Sequence, residues 1–267
     1  MRFILFLILL VSSCKSNSQC SLNQAKKEMT SGNLSAAISC YEQHLNSSDS
    51  LFVFEQLSFC YAEKNEFEMA INFGERAISA NSANLNLLME LGNWHYLTKQ
   101  GDRALNYFLM IERRDSVFQK INYNIALTYL TELDAPLLAK KYIERELEYY
   151  ENDAENLALA GQIELQLDSL SNSILYFSQA IKINSQEAKY YLLRAIAYYY
   201  ADEEGLTLLN LNKALELDSN FVDAKLLKLE IGVKYGLPFV CSLSNELYRS
   251  GDLSPEYSYL IEKCKME

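Results

Sequence analysis

The chain repeats itself at a period of about 34 residues, and this self-similarity limits its possible folds more than any other feature. A small residue recurs at Ala37, Ala70, Ala104, Ala139, Ser173 and Thr207, in steps of 33, 34, 35, 34 and 34. A second small residue recurs independently at Ala25, Ser58, Gly92, Ala126, Gly161 and Ala195, in steps of 33, 34, 34, 35 and 34. Two columns with one period define a unit of two helices, A then B. Where antiparallel helices cross, a missing side chain lets the backbones approach and their ridges interlock. Bulky residues flank the columns: Tyr61, Tyr129 and Tyr198 near the end of helix A, and Tyr41, Phe108 and Phe177 on helix B. A lone hairpin cannot bury those rings, so neighbouring units must stack. The units are separated by Asn81-Ser82, Asn184-Ser185 and Asp218-Ser219, short polar pairs that favour turns and helix N-caps.

Composition agrees with a packed helical chain. The apolar fraction is 49%, enough to build a core. With 9 Gly and 3 Pro in 267 residues, the chain lacks the tight turns that an all-β fold requires. The formal net charge is −11 and the basic runs stop at pairs (Lys26-Lys27, Arg113-Arg114, Lys140-Lys141). Neutralising phosphates takes clustered Lys and Arg, so nucleic acid is not an expected partner.

Leu91-Gly92 with Ala104 and Phe108 carry a family resemblance, as do Ala195 and Tyr198 with Ala214-Leu215-Glu216-Leu217-Asp218. In these residues the chain resembles the tetratricopeptide repeat family, over about residues 21 to 220. The resemblance implies an all-α fold: a right-handed solenoid of about six tetratricopeptide-like helix hairpins plus a C-terminal capping helix pair. There are departures. The proline that usually closes each repeat is absent; His44, Ile111 and Glu146 occupy a column where the family prefers alanine; and Gly74 replaces an aromatic. At the C-terminus, Gly236-Leu237-Pro238 breaks the chain and Ser254-Pro255 is a good helix start. Tyr257, Leu260, Ile261 and Cys264 then fall on one face of an amphipathic helix, suited to closing an open end.

The N-terminus reads as an export signal. Met1-Arg2 precedes an apolar run from Phe3 to Val11, too short for a membrane helix of about 20 residues but right for a secretory signal. Val11-Ser12-Ser13-Cys14 resembles the lipobox of bacterial lipoproteins, which implies lipid attachment at Cys14. The other reading is an ordinary signal peptide cut near Ser13, leaving Cys14 a free thiol. The expected division is therefore 1–13 lipoprotein signal peptide, 14–20 lipid anchor and tether, 21–236 solenoid, and 237–267 helical cap. The expected location is the bacterial cell envelope, with the protein lipid-anchored at the outer membrane on its periplasmic or surface face.

Nothing in the chain reads as an active site. The two histidines, His44 and His95, fall in packing columns, and no phosphate loop, metal-binding His-Glu motif or nucleophile elbow occurs. Cys40 and His44 are four apart on a helix, but two ligands do not make a zinc site. No catalytic residue, cofactor or metal is expected. Five cysteines remain besides Cys14. Cys40 with Cys60, or Cys241 with Cys264, could bridge in an oxidising compartment. Burial as small apolar residues is the favoured account, and the odd count leaves at least one thiol unpaired.

The family builds its inner face from helix-A residues that avoid both packing columns. The resemblance thus implies a partner groove of Phe52, Glu55, Phe59, Met89, Asn93, Tyr96, Tyr123, Leu127, Gln162, Ile196, Tyr199 and Tyr200. Rigid aromatics are common interface anchors. The Lys and Arg set with which some members clamp a C-terminal carboxylate is missing, leaving Lys120 and Lys189 at the edges. The expected function is a non-catalytic adaptor holding a partner protein or peptide, anchored in the membrane through Cys14. The alternative is a glycan- or nutrient-binding surface lipoprotein whose tyrosines stack on its ligand.

Overall fold

The computed structural model describes residues 20–80, 84–118 and 120–264. The expected signal peptide, the lipid site Cys14, the tether up to Gln19 and the turn pair Asn81-Ser82 lie outside the described residues. Fifteen α-helices and a short 3-10 turn occur among the described residues, with no strand.

The chain divides into two compact units, one up to Trp94 and one from His95. The first holds α1 (Leu22–Thr30), α2 (Leu34–Glu42), α3 (Ser50–Glu63), α4 (Phe67–Ala80) and most of α5 (Leu85–Leu97). The second begins with the end of α5. It continues through α6 (Gly101–Glu112), α7 (Ile121–Thr131), α8 (Pro136–Tyr149), α9 (Ala154–Gln166) and α10 (Leu170–Ile183). Then come α11 (Ala188–Tyr200), α12 (Glu204–Leu217), α13 (Val222–Tyr235), α14 (Val240–Ser250) and α15 (Tyr259–Lys263). Odd-numbered helices up to α13 are A helices and even-numbered ones B helices. Among the described residues no helix is long and apolar enough to cross a membrane.

Both small-residue columns are buried at all twelve positions. Ala25, Ser58, Ala126 and Ala195 on the A helices are fully inaccessible, as are Ala37, Ala70, Ala104, Ala139, Ser173 and Thr207 on the B helices. Gly161 shows why size matters there: a Cβ would sit 2.6 Å from Phe177 Cε1. The Ser173 hydroxyl donates to the Gly161 carbonyl across the same crossing, at 2.8 Å. The flanking rings do the filling, with Tyr41 and Phe177 fully buried and Phe108 nearly so.

A third column sets the turn from A to B. Gly32, Asn65, Lys99, Asp134, Asp168, Asp202 and Gly236 all have positive φ, between 46° and 79°. Each lets the next N–H reach back to a carbonyl of the A helix, as in Gln100 N to His95 O at 2.8 Å and Glu203 N to Tyr198 O at 2.9 Å. This is the left-handed helix cap that satisfies orphan carbonyls. Gly takes that conformation freely, and Asn and Asp tolerate it better than most residues. Between units the side chains of Asn184 and Asp218 accept N–H bonds from Gln186 (3.2 Å) and Asn220 (2.9 Å), turning the chain into the next repeat.

Several expectations need correction. α2 ends at Glu42, so His44 lies beyond it, half-buried, with Nε2 2.5 Å from the Cys20 carbonyl oxygen. Cys40 bonds to Cys20, not Cys60, and Cys241 bonds to Cys264. Cys60 is the free, buried thiol. Cys20, placed in the tether by its polar surroundings, is thereby fixed to α2. The single amphipathic helix expected after Pro255 is broken into a 3-10 turn at 255–257 and the five-residue α15. Leu260 and Ile261 are buried there, but Cys264 is held by its bridge instead of by a continuing helix.

Candidate functional site

In the first unit the expected groove residues are held by separate neighbours. Phe52 is 42% exposed and meets Tyr41 edge-on at 6.4 Å. Glu55 accepts a hydrogen bond from Asn84 Nδ2 at 3.0 Å. Phe59 stands edge-on to Trp94 at 6.1 Å, and Asn93 is half-buried. Met89 is 5% exposed and belongs to the core, as do Ala158 and Leu192 farther along the same column.

The second unit brings more of them together. A hollow of about 540 Å³ lies along α11 and α13 and takes in Ile196, Tyr199 and Tyr200 with Leu193, Phe221 and Leu227. A smaller one of about 230 Å³ takes in Tyr123 and Gln162 with Glu155, Glu187 and Tyr190 from α7 to α11. Lys189 lines both. Tyr96 and Leu127 line neither. The Tyr96 hydroxyl lies 3.0 Å from Thr131 Oγ1, and Leu127 packs on the cluster of Ala126, Ile143 and Ile163.

The polar groups in this face are held by one another. Lys120 Nζ lies 2.8 Å from Glu155 and 2.9 Å from Asp153. Partial burial pulls its pKa down, but the hydrogen bonds to Glu155 and Asp153 outweigh that and raise it overall. The Tyr199 hydroxyl donates to Glu230 at 2.8 Å. That bond, with some burial, lifts its pKa above the usual phenol value. Burial, with Glu155 nearby, raises the Tyr123 phenol likewise. Tyr199 and Tyr200 meet at a tilt, 5.9 Å apart, and Tyr200 is 64% exposed. The face is thus open, mainly apolar at its α11–α13 end and mostly polar between α7 and α11, with the Tyr199 ring held by Glu230. It presents no acid, base and nucleophile set aimed at a common point.

Sequence reading missed Glu187, Phe221, Asp223 and Glu230, and left Glu155 out. The signal was present. Glu155, Lys189 and Asp223 are spaced by 34, and Glu230 continues the column of Phe59, Asn93, Leu127, Gln162 and Ile196. Extending the inner-face columns into α13 finds them. The Cys40 and His44 pair is no metal site, since Cys40 is in a disulfide. Among the described residues no group of three or more His, Cys, Asp or Glu could hold a metal ion.

No family model matches the chain. A stretch of 78 residues, 28% of the chain, is 33% identical to the formate-dependent nitrite reductase complex subunit NrfG of Escherichia coli O157:H7, and the match spans 39% of that protein. Among solved structures, a tetratricopeptide repeat protein from Parabacteroides merdae superposes with a TM-score of 0.75 at 14% identity, covering 92% of this chain and 97% of that one. YrrB, described as a tetratricopeptide repeat protein with an unusual peptide-binding site, gives a TM-score of 0.56 at 19% identity, covering 70% of this chain and 97% of its own. With its buried small-residue columns and its repeating turn, the chain has the tetratricopeptide repeat fold.

Proposed function

We propose that the protein is a non-catalytic adaptor that holds a partner protein or peptide along its A-helix face, anchored to a bacterial envelope membrane through a lipid on Cys14. The observation that carries the reading is the open apolar hollow of Ile196, Tyr199 and Tyr200, whose rings are positioned before any ligand arrives. Preorganised rings reduce the entropy lost on binding. YrrB lends support as a neighbour described by its peptide-binding site. The two disulfides favour an oxidising compartment and so support export.

Affinity capture from crosslinked membranes tests the first part, comparing wild type with a Tyr96→Ser, Tyr123→Ser, Tyr199→Ser variant. Proteins lost from the variant identify the partner, whereas identical profiles would place binding elsewhere. Cys14→Ser tests the second part: the protein should move from the membrane to the soluble fraction, and unchanged membrane association would sink the anchor. The exposed Tyr200 beside Tyr199 gives the glycan-binding reading its one foothold. Saturable saccharide binding in calorimetry would favour that reading over the adaptor.

A further inference from the structure

We infer that the occupant of the A-helix face in the second unit is a cationic peptide segment, with Lys or Arg on either side of an aliphatic or aromatic residue. The inference rests on the reading of that face as a peptide groove and names the chemistry of what enters it. The larger hollow is walled mainly by apolar and aromatic side chains, Leu193, Ile196, Tyr199, Phe221 and Leu227 among them, so it suits an apolar anchor. Around it and the adjoining hollow stand four carboxylates, Glu155, Glu187, Asp223 and Glu230, against the single ammonium of Lys189. Glu155, Glu187, Asp223 and Glu230 are all exposed residues, so their charges face solvent and not the core.

Neighbouring cations do not restore the balance. Lys120 bonds to Glu155 and also to Asp153, so adding Lys120 and Asp153 together leaves the net charge of the count unchanged. Lys234, 5.2 Å from the Tyr199 ring centroid, lies outside the lining, and counting it still leaves carboxylates in excess. A low-dielectric wall beside like charges focuses their potential. An acidic or C-terminal carboxylate ligand would meet repulsion at both hollows, while a cationic one gains at both.

Length follows from the layout. The hollows run across four A helices, α7 to α13, which is about three steps of roughly 9 Å each. An extended segment covers that distance in about eight residues at ~3.4 Å per residue. The apolar anchor belongs near the α11–α13 end, and a cationic residue belongs beside Glu155 and Glu187.

The test uses the full chain and three labelled ten-residue peptides with blocked ends. Each has a central Leu-Phe pair flanked by two Lys, two Gln or two Glu on each side, and binding is read by fluorescence anisotropy. The Lys peptide should bind at least about tenfold tighter than the Gln peptide, and the Glu peptide should bind more weakly than either. A Glu187→Lys, Asp223→Lys variant should reverse the order. A Glu148→Lys, Glu151→Lys variant, matched in charge but outside the α11–α13 hollow, should leave it unchanged. Equal binding of the Gln or Glu peptide, lost on Tyr199→Ser, would overturn the charge preference and leave the groove standing. Lys-peptide binding weakened equally by both charge variants, and untouched by Tyr199→Ser, would overturn the preference and the groove reading together.

Discussion

The first hairpin, α1 and α2, and the fifth, α9 and α10, solve the same packing problem by different means. α9 and α10 run 13 and 14 residues, and α9 alone buries eight of them. They meet at Gly161, Ser173 and Phe177, with a buried hydroxyl bonded across the crossing. α1 and α2 have nine residues each, and Ala25 is the only buried residue of α1. Their staple is covalent, Cys20 to Cys40. The other end of the chain repeats the device, with Cys241 and Cys264 joining α14 to the residue after α15. The first and last of the seven turns, Gly32 and Gly236, use glycine where the five between use Asn, Lys or Asp. A repeat with a neighbour on each flank is held by burial, whereas a terminal repeat loses one flank and frays first. Cross-links and permissive turns stand where burial is least.

Removing the staple should give the largest effect. A Cys20→Ala, Cys40→Ala variant should lose about 3 kcal/mol of local stability, the closure entropy expected for a loop of this length. Hydrogen exchange should then quicken across α1 and α2 and stay unchanged across α9 and α10. Faster exchange throughout would mean the terminal hairpin supports the whole array, and the contrast between end and interior would fall. Next comes Gly161→Val, which forces extra methyl groups against a buried ring and should cost about 2 kcal/mol through overpacking. An unchanged thermal midpoint would show that α9 and α10 are registered wrongly.

Glu146 tests a different interior position. It stands in the column of Ala180 and Ala214, is 1% exposed, and its Oε1 meets no hydrogen-bond donor among the described residues. Burial raises its pKa above the usual carboxyl value, against weaker opposing effects from Asn122, the Tyr123 backbone and Lys120. A raised folded pKa means the native state holds the proton more tightly than the unfolded chain. Its stabilising contribution is therefore complete below the ordinary carboxyl range and is lost as pH rises through the folded value. Glu146→Gln should match wild type near pH 4 and exceed it by about 1 kcal/mol at pH 7 in urea unfolding, relieving a buried ionised acceptor. A variant weaker than wild type at neutral pH would mean the carboxylate is well satisfied.

The fold was legible because its central requirement, close approach of two helices, can be met only by small residues. That left Ala, Gly, Ser and Thr in two visible columns. The turn column has the same period but was not seen, since positive φ is met by Gly, Asn, Asp and even Lys99, which share no obvious class. Pairing among the cysteines was legible only in part: Cys241 with Cys264 was among the possible bridges and forms, but Cys20 with Cys40 was not considered. Cys20 precedes the first column, and Cys60 was weighed for Cys40 because the two lie on neighbouring hairpins, although Cys60 turns into the core. The site was half legible. The family resemblance pointed to Tyr123, Ile196, Tyr199 and Tyr200, while the carboxylates of α13 were passed over because the resemblance stops near residue 220, before that helix begins.

The smallest expected effect bears on the same turns and on the glycines at the two ends. Asp202 holds φ at 56° on an exposed corner between α11 and α12. A left-handed conformation costs an ordinary L-residue about 1–2 kcal/mol, somewhat less for Asp, and glycine escapes that cost. Glycine in turn raises the entropy of the unfolded chain by roughly 0.5–1 kcal/mol. Asp202→Gly should therefore stabilise by about 0.5 kcal/mol, with Asp202→Val moving the thermal midpoint the other way. If glycine stabilised Asp202 and also the interior turns at Asp134 and Asp168, the end glycines would be an optional choice that interior repeats can equally accept. If it destabilised them, burial in the interior is already enough to impose the turn, and the lower unfolded-state entropy of Asp matters more than the strain it carries.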